Sequence, residues 1–234
     1  RQFYRKKNKD LTSIIVFAEK DKLKNLIIYD SINRLLNKNK ILAPRLYNEN
    51  YIKNYIEIQD FGDETILKIL RRNNNNLFDY FKKAIRLLNR IQQIKDIKVK
   101  TFKNKIYKIP KYDDRILIKE ANLFCDWYVK KNLSKIKRKK FSKEFKKIIK
   151  TLISNLKLRN NIFVHRDFHV SNLMYYNKKI AVIDSQDALI GNRAYDLASL
   201  IDDVRLKTSN DLKEKVFNFY IKKNKKIDMK KYKT

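Results

Sequence analysis

The chain of 234 residues is long enough for one large domain or for two lobes that share a cleft, and its 43% hydrophobic content excludes a disordered chain. Its formal net charge of +32 suggests a nucleic-acid surface, but the lysines run from Lys6 to Lys233 without forming one block, and arginine is the minority cation. We therefore attribute the charge to a residue usage rich in lysine, asparagine and isoleucine, and we predict no specific nucleic-acid partner.

The first predicted elements form a small β-rich unit. Residues 2–7 and 12–18 are interpreted as two strands, because β-branched and aromatic residues are frequent in both. Apolar residues at helical spacing predict a helix over residues 22–37, and a short strand follows at 55–58. We interpret residues 1–58 as part of an N-terminal, nucleotide-binding lobe.

The rest of the chain is predicted to be mostly helical. Residues 59–63 are interpreted as a hinge, and residues 64–234 as a helical C-terminal catalytic lobe. The predicted helices cover residues 64–71, 76–94, 114–132, 141–157, 194–206 and 210–223, and the short strands cover residues 161–165, 173–176 and 180–184. The predicted fold class is α+β with two lobes, and the cleft between them is the natural place for an active site.

Cysteine usage and hydropathy bear on the setting of the protein. The single cysteine, Cys125, cannot form an internal disulfide, which predicts a reducing, cytoplasmic environment. No apolar run approaches the roughly 20 residues that a membrane helix needs, so no membrane partner is predicted. The sequence begins at Arg1 in a stretch that resembles a β-strand, and it ends in a lysine-rich stretch. We therefore expect the chain to be a piece of a longer protein.

Both histidines of the chain lie in one polar loop that follows an apolar strand. The loop contains His165, Asp167, His169 and Asn172, and four residues separate Asp167 from Asn172. This is the H-R-D-x-x-x-x-N spacing of a kinase catalytic loop. Phosphoryl transfer needs a carboxylate at the acceptor hydroxyl and a neutral oxygen ligand for Mg²⁺. We predict that Asp167 is the catalytic carboxylate and that Asn172 is a metal ligand.

A second apolar strand ends in another carboxylate. Asp184 follows residues 180–183, and Mg²⁺ favours a few hard oxygen ligands of this kind, so Asn172 and Asp184 are predicted to hold it together. A lone aspartate at a strand end is more often a turn or a helix cap, but here it follows the loop in the order that phosphoryl transfer requires. A zinc-like site at the two histidines is disfavoured because no further strong ligand, such as a cysteine, lies nearby.

These motifs resemble the aminoglycoside phosphotransferase superfamily, and more closely its bacterial sugar kinases, which phosphorylate the anomeric hydroxyl of N-acetylmuramate and N-acetylglucosamine in cell-wall recycling. Arg166, where antibiotic kinases usually have glycine, and the run Gln186-Asp187-Ala188 point to the sugar-kinase branch. The resemblance covers most of residues 1–205. The segments that carry it are residues 56–63, 110–128, 165–174, 182–188 and 191–200.

The resemblance implies a protein-kinase-like fold, with ATP and Mg²⁺ as cofactors and a small-molecule hydroxyl as the acceptor. Asp196 would brace the catalytic loop, and His165 and Arg166 would support it, with Arg166 contacting backbone or an acidic group. Adenine is expected at the hinge residues Gln59, Asp60 and Phe61.

The acceptor site is the least defined part of this interpretation. An anomeric hydroxyl is more acidic than an ordinary alcohol, so a carboxylate such as Asp167 is an adequate base. Asp187 has a competing role in holding its own loop, and Trp127 a competing role as a buried packing residue. The candidate substrate contacts are His169, Asp187, Glu120 and Trp127.

The sequence departs from the family pattern at several places. Ser185 stands where an aromatic residue commonly follows the metal-binding aspartate, which leaves the packing there open. The phosphate-covering loop would precede Arg1, and the C-terminal helices would continue past about residue 225. Lys20 and Lys22 are candidates for the lysine that clamps the nucleotide, and neither stands out in so lysine-rich a chain.

Several alternatives stay open on the sequence alone. An aminoglycoside, choline or homoserine kinase would keep every motif and change only the helical segment before the catalytic loop. A protein kinase fits less well, because His169 and the residues after Asp184 do not match and no activation loop is apparent. A non-enzymatic, basic nucleic-acid-binding protein would depend on charge alone. The oligomeric state is not predicted.

Overall fold

The small lobe is a four-stranded antiparallel sheet with one helix packed on it. The computed structural model describes residues 1–9, 11–19, 25–73, 76–155 and 160–224, so the candidate lysines Lys20 and Lys22 lie outside the described residues. The strand order is β1-β2-β4-β3. The elements are β1 (Gln2–Asn8), β2 (Leu11–Phe17), α1 (Asn25–Lys38), β3 (Leu46–Asn50) and β4 (Tyr55–Gln59).

One face of this sheet packs against α1. Val16 of β2 lies opposite Ile56 of β4 in the antiparallel register, and both are fully buried. Leu26 and Tyr29 of α1 complete this small core. Because side chains alternate across a strand, the other face is left to polar residues such as Glu57, which accepts a hydrogen bond from Ser13.

The larger lobe has the main hydrophobic core. Thr65 caps α2 by accepting a hydrogen bond from Lys68 N at 3.1 Å. Helix α3 is strongly amphipathic and buries its apolar face against the C-terminal helices and residues 165–196, named here the catalytic segment after the predicted catalytic loop that they contain. The elements after the hinge are α2 (Ile66–Arg72), α3 (Leu77–Ile91) and a short hairpin, β5 (Lys98–Lys100) and β6 (Ile106–Lys108).

Residues 114–154, named here the helical insert, pack loosely on this lobe. Helix α4 (Asp114–Phe124) continues through a π-helical turn at Cys125–Val129 into α5 (Lys130–Asn132), and α6 (Lys135–Ser154) folds back on α4. Neither α4 nor α6 has a buried residue. The contact between them is aromatic and includes Phe124, Phe141 and Phe145.

Two short ribbons carry the catalytic segment. Strand β7 (Asn160–Val164) pairs with β10 (Leu189–Asn192), and β8 (Leu173–Tyr176) pairs with β9 (Lys179–Val182), both antiparallel. The polar loops that follow β7 and β9 therefore lie at neighbouring strand ends. Helices α7 (Ala194–Ile201) and α8 (Asn210–Lys223) complete the described fold.

The two-lobed α+β architecture is the predicted one, and several element bounds differ. Strand β3, the β5–β6 hairpin and β10 were not predicted, and α7 ends at Ile201 where residues up to 206 were expected. Helix α6 begins at Lys135, six residues before the predicted start, because the lysine-rich turn favours a helix without any apolar periodicity. Within the described residues, no helix combines the length and the apolar character that crossing a bilayer requires.

Candidate active site

A cleft of about 440 Å³ lies between the sheet and the larger lobe. The cleft is lined by apolar side chains of the small lobe, by residues 59–63 of the predicted hinge, and by residues that follow β7 and β9. Apolar walls with a few convergent polar groups are typical of small-molecule sites. The lining residues include Phe3, Ile14, Tyr29, Ile58, residues 59–63, Met174, Asn172, Ile183 and Asp184. The three predicted adenine-contact residues and both predicted metal ligands therefore line one cleft.

Arg5 of β1 fixes the hinge at the back of this cleft. Its guanidinium forms ion pairs with Asp60 (Nε to Oδ2, 2.6 Å) and with Asp63 (Nη1 to Oδ2, 2.9 Å), and it donates to the carbonyl of Gly62 at 3.2 Å. Partial burial would raise the pKa of Asp60, but the Gly62 amide and the guanidinium outweigh burial and hold that pKa below its usual range. The hinge is thus pinned to the first strand of the sheet.

Asp196 of α7 holds the start of the catalytic loop. The carboxylate is fully buried and accepts hydrogen bonds from His165 N at 2.7 Å and from Arg166 N at 3.0 Å. Burial raises the pKa of Asp196 to about 7, although the two amide donors favour the ionised form. Arg166 has a φ of 74°, a left-handed conformation that non-glycine residues adopt at a cost. Such contacts are what the bracing role predicted for Asp196 requires.

The side chain of Asp167 is half-buried beside other carboxylates. Burial raises the pKa of Asp167, and the charges of Asp184 and Asp187 raise it further. The carbonyl of Asp167 accepts a hydrogen bond from Asn172 Nδ2 at 3.1 Å. This bond fixes the amide of Asn172 so that its Oδ1, and not its nitrogen, is the candidate metal ligand.

Asp184 stands in the loop directly after β9. It adopts a φ of 64°, and its neighbour Ile183 donates its amide to the carbonyl of Asn172 at 3.1 Å. One carboxylate oxygen lies 3.6 Å from Arg1 Nη2. An amide oxygen and a carboxylate that line one cleft suit Mg²⁺, which favours few hard oxygen ligands. Among the residues that the structure describes, no three His, Cys, Asp or Glu side chains form a cluster that could hold a metal ion.

The two histidines are both shielded from solvent. His165 is fully buried, and burial lowers its pKa to about 3, so the ring is neutral. His169 is also buried, and its Nδ1 lies 2.8 Å from Ser171 Oγ. Burial and the charge of Arg205 lower the pKa of His169. Its Nε2 lies 3.4 Å from Asn172 Nδ2, so the ring contacts the candidate metal ligand within its own loop.

Arg166 connects the catalytic loop to the helical insert. Its guanidinium pairs with Glu120 of α4 and lies 3.8 Å from Asp187 Oδ1. The other carboxylate oxygen of Glu120 accepts a hydrogen bond from Tyr112. Arg166 also lies over the Tyr112 ring, 5.7 Å from its centroid. Glu120, a predicted substrate contact, is therefore already engaged by two protein side chains in this structure.

Trp127 lies away from these residues. Its side chain is 67% exposed on the π-helical turn, and it lines a separate depression with Asp126, Lys130 and Lys131. The interpretation of Trp127 as a buried packing residue is wrong. The reason is that α4 and α6 meet through Phe124, Phe141 and Phe145, which leaves the tryptophan on the outer side of the insert.

The sequence analysis missed three residues that the structure places at the site. These are Arg5 at the hinge, Asn33 of α1 and Tyr112 beside Glu120. Arg5 offered no signal, because it lies in a polar stretch without a motif. Tyr112 lies in a segment that carries the family resemblance, but nothing in that segment singled it out as a partner of Glu120. Asn33 interrupts the apolar helical pattern of α1 at a buried position, and a buried polar residue on a core-facing helix indicates a specific partner.

Comparison with known proteins gives one family. The model of the phosphotransferase enzyme family (APH) matches residues 2–230. The N-acetylmuramate/N-acetylglucosamine kinase of Neisseria meningitidis is 28% identical over 204 residues, which cover 87% of this chain and 58% of that protein. The kinase of the same name from Pseudomonas aeruginosa is 28% identical over 181 residues, which cover 77% of this chain and 50% of that protein. The chain thus spans about half the length of these relatives.

Solved structures agree in fold. An aminoglycoside-3'-phosphotransferase of type VIII superposes with a TM-score of 0.68 at 12% identity, covering 98% of this chain and 84% of that one. The ADP-bound aminoglycoside phosphotransferase APH(2'')-Ib gives a TM-score of 0.66 at 16% identity, covering 94% and 77%. At such identities the likeness supports the kinase-like fold alone. With the family model matching nearly the whole chain, the protein belongs to the phosphotransferase enzyme family.

Proposed function

We propose that the protein is an ATP-dependent kinase that transfers the γ-phosphoryl group to the anomeric hydroxyl of an N-acetylated amino sugar. The observation that carries this proposal is the cleft, in which the hinge residues and the pair Asn172 and Asp184 line one continuous surface. A nucleotide bound along that surface would have its base at the hinge and its phosphates near the two oxygen ligands.

Asp167 is the proposed base and orienting group for the acceptor. Its raised pKa makes the carboxylate a stronger base than an exposed aspartate, yet leaves it able to accept a proton from an acidic hydroxyl. The Asn172 bond to its carbonyl fixes the loop, so most of the catalytic effect would come from positioning.

Asn172 Oδ1 and the Asp184 carboxylate are the proposed Mg²⁺ ligands. When bound, Mg²⁺ would neutralise phosphate charge and favour the developing charge on the transferred group. Arg1, a positively charged side chain at this end of the cleft, lies within ion-pair distance of Asp184. Arg1 and a bound Mg²⁺ would together make this end of the cleft suited to an anionic ligand.

The identity of the acceptor is the most specific part of the proposal. Support comes from the relatives in Neisseria meningitidis and Pseudomonas aeruginosa, both of which are named N-acetylmuramate/N-acetylglucosamine kinase. Arg166, the neighbour of Asp167 in the chain, pairs with Glu120, lies near Asp187 and packs over the buried ring of Tyr112, which brings hydrogen-bond donors and acceptors together. We expect such a group to suit a polyhydroxylated sugar, whose hydroxyls can pair with both the donors and the acceptors, while Arg166 offsets one of the negative charges.

A coupled ADP-release assay on the full chain tests the proposal. The acceptors are N-acetylglucosamine, N-acetylmuramate, kanamycin and choline, each with ATP and Mg²⁺, and Asp167→Asn is the control for contaminating kinases. We expect turnover with at least one of the two sugars and none in the control. Turnover of kanamycin or choline with neither sugar would contradict the acceptor assignment and leave the phosphotransferase assignment standing.

A further inference from the structure

Ser185 connects the metal-binding loop to the small lobe. It follows Asp184 directly, is fully buried, and donates its hydroxyl to Asn33 Oδ1 at 2.7 Å, although the two lie 152 positions apart in sequence. Asn33 belongs to α1 and is only 1% exposed. A neutral hydrogen bond between two buried side chains thus joins the residue after Asp184 to the helix of the other lobe.

The backbone of Asp184 needs such support. Its φ of 64° lies in the left-handed region, which is unfavourable for a residue with a side chain and persists where the surroundings enforce it. On one side, the amide of Ile183 bonds to the carbonyl of Asn172. On the other side, the hydroxyl of Ser185 bonds to Asn33. Asp184 is therefore held between two hydrogen bonds, one to the catalytic loop and one to α1.

Helix α1 also reaches the nucleotide cleft. Tyr29 lies one helical turn before Asn33, is buried, and lines the cleft with Asp184. Burial raises the pKa of Tyr29 to about 12, and its neighbours include both Asn33 and Asp184. Any shift of α1 along the sheet would therefore move Tyr29 at the cleft wall and Asn33, the hydrogen-bond partner of Ser185, together.

We infer that Ser185 and Asn33 are positioning residues, which hold Asp184 in its left-handed conformation and couple the placement of α1 to the metal-binding loop. The inference rests on the proposed function, since Asp184 is there a Mg²⁺ ligand. It assigns a specific role to Ser185, which departs from the aromatic residue that is common at this position. The hydroxyl replaces apolar packing with a single directional bond.

The test compares Ser185→Ala, Asn33→Leu and the double variant with the unaltered chain. Calorimetry measures ATP affinity with and without Mg²⁺. Ser185→Ala leaves the buried Asn33 oxygen unpaired, and we expect about a tenfold loss of Mg²⁺-dependent ATP affinity. Binding without Mg²⁺ should change less than about twofold. Because both single variants remove the same bond, the double variant should lose no more than the worse of the two.

A second readout needs neither metal nor nucleotide. Hydrogen–deuterium exchange of peptides covering residues 183–187 should be faster in Ser185→Ala, because the loop loses one of its two anchors. The matched control is Ser13→Ala, which also removes a buried serine hydroxyl, here bonded to Glu57 within the sheet at 2.6 Å. This control should leave exchange at residues 183–187 and the Mg²⁺ dependence unchanged.

The outcomes separate this inference from the proposed function. If the unaltered chain binds ATP with Mg²⁺ but phosphorylates no sugar, the acceptor assignment fails and the calorimetric comparison still decides the inference. A folded Ser185→Ala chain with unaltered Mg²⁺ dependence and exchange overturns the inference alone. If Ser185→Ala does not fold, Asn33→Leu provides the same comparison, and failure of both variants to fold shows a structural role and overturns it. Absence of Mg²⁺-dependent ATP binding in the unaltered chain contradicts both.

Discussion

The catalytic segment and the helical insert differ in how deeply their side chains are buried. In the segment that contains residues 165–196, His165, Ser185 and Asp196 are fully buried, and side chains bond directly to backbone amides. In the insert, residues 114–154, neither α4 nor α6 buries a single residue. The two regions meet where Arg166 pairs with Glu120.

Under the proposed function, we expect this difference to separate the residues that carry out phosphoryl transfer from those that select the acceptor. In a buried frame around Asp167, Asn172 and Asp184, removing the partner of a hydrogen-bonded polar group is costly, so a substitution there has a large effect. An exposed helical pair tolerates changes on its outer faces, which allows the acceptor surface to vary. Substitutions on both sides of the Arg166–Glu120 contact test whether residues that affect phosphoryl transfer and residues that affect acceptor binding are separated there.

The largest effect is expected at the candidate metal ligand. Asp184→Asn removes the negative charge of the only carboxylate in the predicted ligand pair, and we expect turnover to fall by about 10³-fold or more, with weaker Mg²⁺-dependent ATP binding. Steady-state ADP release and calorimetry measure the two effects. Asp211→Asn, an exposed carboxylate of α8, is the matched control and should be unaffected. Unimpaired turnover of Asp184→Asn would remove the metal assignment.

Next in size is the brace of the catalytic loop. Asp196→Ala leaves the amides of His165 and Arg166 buried without an acceptor, and we expect a loss of about 3 kcal/mol in the free energy of unfolding. Urea denaturation measures it. Glu144→Ala on the exposed face of α6 should change stability by less than about 0.5 kcal/mol. Equal losses in both variants would contradict the contrast between the regions.

A pH dependence follows from the buried histidine. The pKa of His165 is about 3 in the folded state and about 6.5 in the unfolded chain, so between these values the unfolded state binds the extra proton. His165 therefore makes stability fall as the pH falls below about 6.5, by up to about 1.4 kcal/mol per pH unit. His165→Phe should lack this slope, and its stability relative to the unaltered chain should rise towards acid. If the free energies of unfolding of the two chains follow parallel curves from pH 7 to pH 4.5, His165 does not titrate on unfolding.

A smaller effect is expected at the contact between the regions. Glu120→Gln keeps the shape of the side chain and removes its charge, which weakens the pair with Arg166. Because both partners are partly exposed, we expect a modest change, about a tenfold rise in the KM for the sugar with the KM for ATP unchanged. Glu144→Gln is the control of the same chemistry. A rise in the KM for ATP alone would place Glu120 in the nucleotide site instead.

The sequence was sufficient for features that depend on local order. The strand–loop–strand order around residues 165–184 predicted which side chains would meet, because short loops bring neighbouring strand ends together. Strand β3 could not be predicted because it is mostly polar, and the β5–β6 hairpin could not because each of its lysine-bearing strands has only three residues, too few to establish a pattern. The pair Ser185–Asn33 could not be predicted either, since no local pattern encodes a partner 152 residues away.

The smallest effect is expected at Trp127, and it decides how far the acceptor site extends. The side chain is 67% exposed and lines a depression with Asp126, Lys130 and Lys131, none of which belongs to the catalytic segment. Trp127→Ala should therefore change the free energy of unfolding by less than about 0.5 kcal/mol. If the sugar contacts only the surface around Arg166, its KM should stay within about twofold, whereas loss of an aromatic wall should raise it by about tenfold. Tryptophan fluorescence of the unaltered chain provides the independent readout, because Trp127 is the single tryptophan of the sequence. A sugar-dependent change in its emission, together with a raised KM for the sugar in the variant, would show that the acceptor site extends along the insert beyond Glu120 to Trp127.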